Sequence, residues 1–442
     1  MSDTARIADP SRIVRRRWLI WSSLMAIYLI GAFHRVAPAV IAKDLMSTFH
    51  TSGAVLGALS SSYFYVYSIM QIPSGILADT VGPRRTIAAG AVVMAIGTGV
   101  FSAAPSLAYC FAGRFLIGLG VSVVMVNAMR VCVEWYRTDE MGLINGLITT
   151  VGAVGGLLAA TPLAVLSEAV GWRLSFILIG AVSLVLGWNG WVVVRNKPAD
   201  CGLPFSNGGT DKGGDSSHTL GSVWEGVRMV VKNPYTWPPF FGFLSFYSTL
   251  MAFVGLWGVP FISQQYGLPN KDAANYVMVG SLGLLLGCPV VGYLSDRVLV
   301  RRRLPYVLFA VAYVGVWAVL CFVGGGKPPL ASLYCVTFFM GFFCSGFTLS
   351  LVCTKEANPG HLAGIAMGTT NTGGFLGAAV LQVALGRILD LFWDGRIVDG
   401  VRAYPLQGYR AAFATCLAVS LIGVLASLLI KETRCENYCA AI

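Results

Sequence analysis

Apolar positions in this chain come in long unbroken runs, separated by short polar punctuation and free of period-two alternation. A helix needs about 20 apolar residues to cross the hydrocarbon core of a bilayer. Twelve runs reach that length: 18–41, 53–78, 84–104, 106–135, 141–168, 172–194, 236–266, 273–295, 304–324, 329–354, 361–389 and 409–430. Continuous runs rich in Gly and Ala predict helices rather than barrel strands, and the longer ones predict tilt. One stretch, 195–235, breaks the rhythm with "NKPADCGLPFSNGGTDKGGDSSH". Its Gly, Ser, Asp and Lys content predicts a flexible cytoplasmic linker. The chain then divides into an N-terminal tail 1–17, a six-span unit 18–194, the linker, a second six-span unit 236–430 and a tail 431–442.

Composition closes the alternatives. Charged residues make up 12%, apolar residues 56%, and mean hydropathy is +0.71. An ordinary soluble domain carries about 25% charge, so this surface is solvated by lipid. With an even number of spans both termini share one side. Assigning that side to the cytoplasm puts twenty of the 31 Lys and Arg residues there, against eight opposite, with Arg35, Arg114 and Arg130 inside spans. That bias follows the positive-inside rule. The expected location is the cell (inner) membrane, multi-pass, with both termini cytoplasmic. The net charge of +11 therefore reports topology and not nucleic-acid binding. The first run is too long for a signal peptide's apolar region and is expected to be retained. The eleven cysteines show no CxxC and no metal-ligand spacing, so no metal is expected.

The two halves share patterns. "GILADTVGPRR" (75–85) and "GYLSDRVLVRR" (292–302) align Gly75, Asp79, Arg84 and Arg85 with Gly292, Asp296, Arg301 and Arg302. A weaker match relates the glycines of "GLINGLITTVGAVG" (142–155) to those of "GIAMGTTNTGGFLG" (364–377). Two parallel six-span repeats around a central cavity are one layout of secondary transporters. The expected fold is all-α and integral to the membrane: twelve transmembrane helices in two pseudo-symmetric six-helix bundles. The first of these motifs resembles the loop 2–3 signature of the major facilitator superfamily, with its degenerate copy in loop 8–9, and "GRFLIGLG" (113–120) resembles that family's span-4 arginine motif. Thr80 stands where the family usually has arginine, and the second copy lacks the glycine that Gly82 supplies. Span 5 lacks the GP-x-x-GG run of the family's drug/proton antiporters. "WYRTDEMGLINGL" and "GLWGVPFISQQYGL" look more like bacterial branches moving organic anions, amino acids or small peptides.

Physical reasons accompany these motifs. Small residues such as Gly75 allow close helix approach in lipid, and Asp79 can pair with arginine or a helix N-terminus. Gly75, Asp79, Gly82, Arg84 and Arg85, with Gly292, Asp296, Arg301 and Arg302, are thus expected to form a conformational gate at the cytoplasmic mouth. In "AFHRVAPAV" (32–40), Arg35 lies past the midplane, where an ionisable group usually faces a cavity, and Pro38 bends the helix and frees carbonyls. Arg35, with His34 and Arg130, favours an anionic or zwitterionic solute, because guanidinium grips carboxylate in two-point fashion. Tyr63, Tyr67, Asn127, Trp257, Gln264, Asn371 and Gln382 are polar or amphipathic groups within spans; each, taken alone, reads more readily as helix–helix contact than as ligand contact. All but Gln382 join His34, Arg35 and Arg130 as candidate substrate-binding residues. The resemblance implies that spans 1, 4, 7 and 10 line the cavity, favouring Asn127 and Trp257. Arg114 and Glu134 are expected to be structural, the latter as an i+4 partner of Arg130.

No catalytic residue or cofactor is expected. Every Asp and Glu lies in a loop, a tail or near a span end, which argues against a cationic solute. "GGGKPP" (324–329) lacks the phosphate-binding GxxxxGK[ST] frame, so the drive is a proton or solute gradient rather than ATP. His34 either titrates and carries a coupling proton or is neutral and structural. These readings add up to a secondary transporter with rocker-switch alternation, working as a monomer in the bilayer on a small carboxylate, amino acid or peptide, by proton-coupled uptake. An exporter or exchanger of the same solutes and a non-transporting sensor on the same fold are the alternatives.

Overall fold

The computed structural model describes residues 10–137, 140–201 and 220–434, and these are overwhelmingly helical. Eleven helical segments are long and apolar enough to cross a membrane: Ile13–Val40, Pro83–Ser102, Leu107–Trp135, Leu143–Val170, Trp172–Val193, Pro234–Tyr266, Asn270–Val298, Arg303–Gly325, Leu330–Glu356, Ala363–Leu391 and Leu406–Leu429. The remaining span is broken at Met70 into Gly53–Ile69, of 17 residues, and Gln71–Thr80. Together they make twelve, numbered here span 1 to span 12 in chain order. The end of the protein that carries the described termini is called the termini side, and the opposite end the far side.

Among the described residues, three elements lie outside the spans besides the short 3-10 turns Pro198–Cys201 and Gly360–Leu362. Ala42–Phe49 forms a short far-side helix, and Ile397–Val398 pairs with Val401–Arg402 as an antiparallel hairpin in the loop before span 12. Within the stretch expected to be a flexible linker, Leu220–Lys232 is a helix. Its Gly226 and Val230 face Leu362, Ile365 and Ala366 at the start of span 11. The pattern is legible in retrospect: Val223, Val227 and Val230 recur at helical spacing, but over too short a length to read as a span. The expected tail residues 1–9 and 435–442, and the linker residues 202–219, lie outside the described residues.

Both halves are built by the same pairings. Spans 1·5, 1·6, 2·4 and 3·6 pack in the first half, and 7·11, 7·12, 8·10 and 9·12 pack in the second. Large apolar side chains such as Val185, Trp188, Phe322 and Leu429 point outward and stay exposed, as a lipid-facing surface requires. Polar side chains inside spans are mostly satisfied by the helix itself. Thr98 donates to Met94 O, and Thr249 to Ser245 O. Two spans carry π-helical turns. In span 7, Phe253–Trp257 widens to an i→i+5 bond from Gly258 N to Phe253 O, next to Pro260, which cannot donate to the ladder. In span 8 the same happens at Leu294–Val298.

The halves meet along three seams: span 2 on span 11, span 5 on span 8, and span 1 on span 7. On the far side these seams are tight. Gly53 and Gly386 let two backbones touch, so closely that a methyl added at Gly386 would lie 2.2 Å from Gly53 O. Ser61 donates to Ala379 O at 2.6 Å, Thr161 to Asn275 Oδ1 at 2.6 Å, and Lys43 pairs with Asp399 at 2.9 Å. Asp390, from span 11, caps span 2 across the seam. Its carboxylate accepts from Gly53 N at 3.0 Å and Ala54 N at 2.7 Å, while Ser52 Oγ takes Val55 N. Three of the four orphan donors of a helix N-terminus are thereby satisfied. Tyr404 donates to Asp390 at 2.8 Å and Arg402 donates at 3.3 Å. Burial, then the adjacent Asp390, pushes the Tyr404 phenol well above its usual range, so it acts as a donor. Toward the termini side the seam loosens. Gln71–Asn371, at 3.3 Å, is the last hydrogen bond across it between described residues, and added methyls at Gly75, Gly146, Gly364 and Gly368 would touch nothing within 4 Å. The two bundles are closed on the far side and open toward the termini.

Candidate functional site

Pro38 organises the middle of span 1. It has no N–H for His34 O, and the freed carbonyl accepts instead from Arg114 Nη1 at 2.9 Å. Arg114 also donates to Ser60 O at 3.4 Å and lies 5.1 Å from the Tyr63 ring centroid. It is buried, and its contacts are with backbone and ring.

Arg35 projects the other way, into the seam between the bundles. Its Nε donates to Tyr63 Oη at 3.3 Å and its Nη2 to Tyr67 Oη at 3.4 Å. The guanidinium lies over three rings, at 5.7 Å from Tyr28, 5.3 Å from Tyr67 and 5.4 Å from Phe375. No carboxylate of a described residue lies within 4 Å of it. Tyr67 stacks on Phe375 across the seam at 4.1 Å, and Phe375 meets Tyr247 of span 7 at 5.0 Å. Tyr247 Oη is buried without a hydrogen-bond partner. Both bundles thus contribute to one aromatic chamber around one guanidinium.

Other candidates lie elsewhere. His34 is fully buried inside the first bundle, with Nε2 3.3 Å from Thr98 Oγ1 and its ring against Phe33 and Phe176. Since Thr98 donates to Met94 O, the Nε2–H tautomer of a neutral imidazole fits this geometry, and Nδ1 is left without a partner. His34 and Arg35 are therefore not brought together: neighbouring residues on a helix do not share a face. Asn127 is buried and donates to Val123 O of its own helix. Trp257 donates to Gln382 O at 3.3 Å, and its ring sits 3.2 Å from where a Gly53 methyl would be, on the closed far-side seam. Gln264 is held by Arg402 O and Tyr404 N of the loop before span 12 and by Tyr409 Oη in the first turn of span 12. Asn371 bridges to Gln71 one turn below Phe375. Arg130 is half-exposed and 3.5 Å from Glu134.

The residues expected from the sequence to form a gate fall into two clusters. In the first, Gly82 turns the chain at φ +90°, Arg84 N donates to Asn196 Oδ1, and Arg84 Nε donates to Trp191 O. Arg85 is exposed, Gly75 faces open space, and the Asp79 side chain lies outside the described residues. In the second, Arg302 is buried between Glu356, at 2.6 Å, and Asp296. Burial alone would lower the Arg302 pKa, but these two carboxylates raise it. Arg301 N donates to Ser295 O, and Gly292 faces open space. Val300 takes the left-handed turn (φ +49°) that lacks a glycine in this copy, a conformation costly for a β-branched residue. Glu432 seals the cluster by accepting from Arg302 N and Arg303 N.

Tyr28, Tyr247, Phe375, Glu356 and Asp390 were not singled out from the sequence. Tyr28 carried a signal, two helical turns before Arg35 on the same face. Asp390 carried none, because the two amides it accepts from across the seam, Gly53 N and Ala54 N, are more than 300 residues away in the chain.

Residues 18–381 match the family model described as Major Facilitator Superfamily. The chain is 24% identical to the probable sulfoacetate transporter SauU of Cupriavidus necator, covering 95% of this chain and 94% of that protein. It is 26% identical to the membrane sensor protein UhpC of Escherichia coli, covering 90% and 91% respectively. Among solved structures, a bacterial homologue of the human lysosomal transporter Spinster, inward-facing and unoccupied, superimposes with a TM-score of 0.75 at 17% identity, over 95% of this chain and 97% of that one.

Proposed function

The chain belongs to the Major Facilitator Superfamily, and from that premise we propose that it carries a small organic anion or zwitterion across the cell (inner) membrane by alternating access, as proton-coupled uptake, with both termini cytoplasmic. It is a multi-pass membrane transport protein and not an enzyme. The observation that carries the solute class is Arg35. A guanidinium in the seam, hydrogen-bonded only to phenols, leaves its charge uncompensated, and burying such a charge is costly until an opposite one arrives. A carboxylate supplies that charge and two acceptors in the geometry guanidinium favours. The named solute of the C. necator relative, sulfoacetate, is an anion. With termini in the cytoplasm, the open side of the structure faces inward. His34, with an unpartnered ring nitrogen, is the candidate proton carrier.

Counterflow of labelled carboxylates in proteoliposomes, with thermal-shift binding alongside, tests this reading. Charge-assisted hydrogen bonds contribute about 1.5–3 kcal/mol each, so Arg35→Ala is expected to weaken anion binding by at least about 100-fold, while Arg35→Lys keeps a weak remnant. Unchanged affinity in Arg35→Ala would reject the assignment. The likeness to the E. coli sensor supports a second reading, a sensor on the same fold, which predicts the same Arg35-dependent binding with no counterflow.

A further inference from the structure

Resting on the reading of Arg35 as an anion site, we infer that the ligand class is an aromatic monocarboxylate: one negative charge on a flat ring, held head-on by Arg35 and sandwiched between ring faces from both bundles.

Charge sets the first half of this inference. Of the three arginines deep in spans, Arg114 gives its N–H groups to two backbone carbonyls, and Arg130 lies beside Glu134. His34 faces Thr98 inside the first bundle. Arg35 is left to supply one positive charge to the seam. A phosphate monoester, a dicarboxylate or a two-acid solute such as the sulfoacetate named for the C. necator relative would bring a second negative charge into the same chamber without a partner. An unpaired charge there is disfavoured, which separates this chain's ligand from that relative's.

The walls set the second half. Tyr67 and Phe375 face each other across the seam with ring planes 25° apart and centroids 4.1 Å apart. Tyr63 stacks beside Tyr67 at 6.0 Å. When the bundles pivot, span 2 and span 11 separate, and the two facing rings become the walls of a slot one ring wide. A flat aromatic body replaces their mutual contact with two new stacked contacts. Tyr247 adds a buried, unpartnered hydroxyl beside Phe375, a donor for the second carboxylate oxygen. A polyhydroxylated chain would need amide donors instead, and those near the seam have partners: Asn371 Nδ2 donates to Gln71 Oε1, Gln71 Nε2 to Tyr67 O, Asn127 Nδ2 to Val123 O and Gln382 Nε2 to Met251 O.

The test uses the full chain in lipid nanodiscs, with equilibrium binding of benzoate, cyclohexanecarboxylate, D-glucarate and glycerol 3-phosphate. Benzoate is expected to bind tightest, about three- to tenfold better than its saturated analogue of equal charge, the range that aromatic pairing contributes beyond area. Phe375→Leu should collapse that ratio toward one. D-Glucarate or glycerol 3-phosphate binding more tightly than benzoate, or benzoate no better than cyclohexanecarboxylate, overturns the inference. If the tighter ligand is still lost in Arg35→Ala, the anion reading stands without it. Binding that is indifferent to Arg35, or no binding by any anion, overturns the anion reading and the inference together. The wild-type panel decides by itself should Phe375→Leu fail to fold.

Discussion

Asp390→Asn isolates the far-side closure. The carboxylate takes two backbone donors of span 2, Gly53 N and Ala54 N, at a side-chain exposure of 19%. Hydrogen bonds to a charged acceptor contribute about 1.5–3 kcal/mol, against about 0.5–1.5 for a neutral one. A partly buried anion at a helix N-terminus adds up to about 2 kcal/mol. Asparagine keeps one acceptor but turns an amide donor toward the other N–H, so the expected loss is about 2–4 kcal/mol of closed-seam stability. That is a shift of about 30- to 1000-fold in the ratio of closed to open far side. Hydrogen–deuterium exchange reads this directly, because Gly53 N and Ala54 N lose their cross-seam acceptor when the seam parts, and the helical turns that follow, residues 53–61, lose the cover of span 11. Peptides covering them should exchange faster by that factor in nanodiscs, while peptides from the interface of spans 3 and 4 stay as in the parent. Unchanged protection over residues 53–61 would refute the latch. Equal acceleration in spans 3 and 4 would mean general unfolding instead.

Other expectations follow from the same contacts. Gly386→Ala places a methyl 2.2 Å from Gly53 O and should loosen the same peptides, whereas Gly75→Ala, with nothing within 4 Å, should not. Glu356→Leu removes the main partner of buried Arg302 and should cost about 3–5 kcal/mol in unfolding experiments, most of it recovered in the Arg302→Leu/Glu356→Leu double variant. Burial alone would raise the Glu432 pKa, but the N–H groups of Arg302, Arg434 and Arg303 outweigh it and hold the carboxyl below its ordinary value. A depressed folded-state pKa gives a contribution fully present above the unfolded value of 4.5 and lost as pH falls through the folded one. The amide of Arg302 should therefore stay protected at pH 5 and lose protection only below the ordinary carboxylate range, and Glu432→Gln should weaken it already at pH 7.

The spans were legible because lipid demands long apolar runs, and eleven of them satisfy that demand outright. Span 2 hid its break: Gln71, Pro73 and Ser74 look like ordinary polar intrusions, and only packing shows the helix interrupted at Met70. Arg35, Tyr63 and Tyr67 were legible together, since a cation in lipid and two tyrosines at i,i+4 each select a face. His34 points to a different surrounding for the same geometric reason, being one residue and thus about 100° from Arg35. Trp257 and Gln264 were ambiguous because their partners, Gln382 O and the residues before span 12, are set by tertiary approach and not by local pattern. The second gate copy was legible in Asp296 and Arg302, but Glu356 and Glu432, which complete its charge balance, lie outside the repeated motif.

Span 11 runs unbroken from Ala363 to Leu391 and carries Asn371, Phe375, Gln382, Gly386 and Asp390. From Phe375 to Asp390 it covers 15 residues, about 22 Å at 1.5 Å each, with no proline to absorb a bend. Its partner across the seam, span 2, is jointed at Met70. One side of the seam is a continuous helix and the other an articulated arm. On the proposed reading, a solute held at Phe375 bears on the same helix whose end carries the far-side latch, while the arm can yield at its elbow without disturbing the end that Asp390 holds.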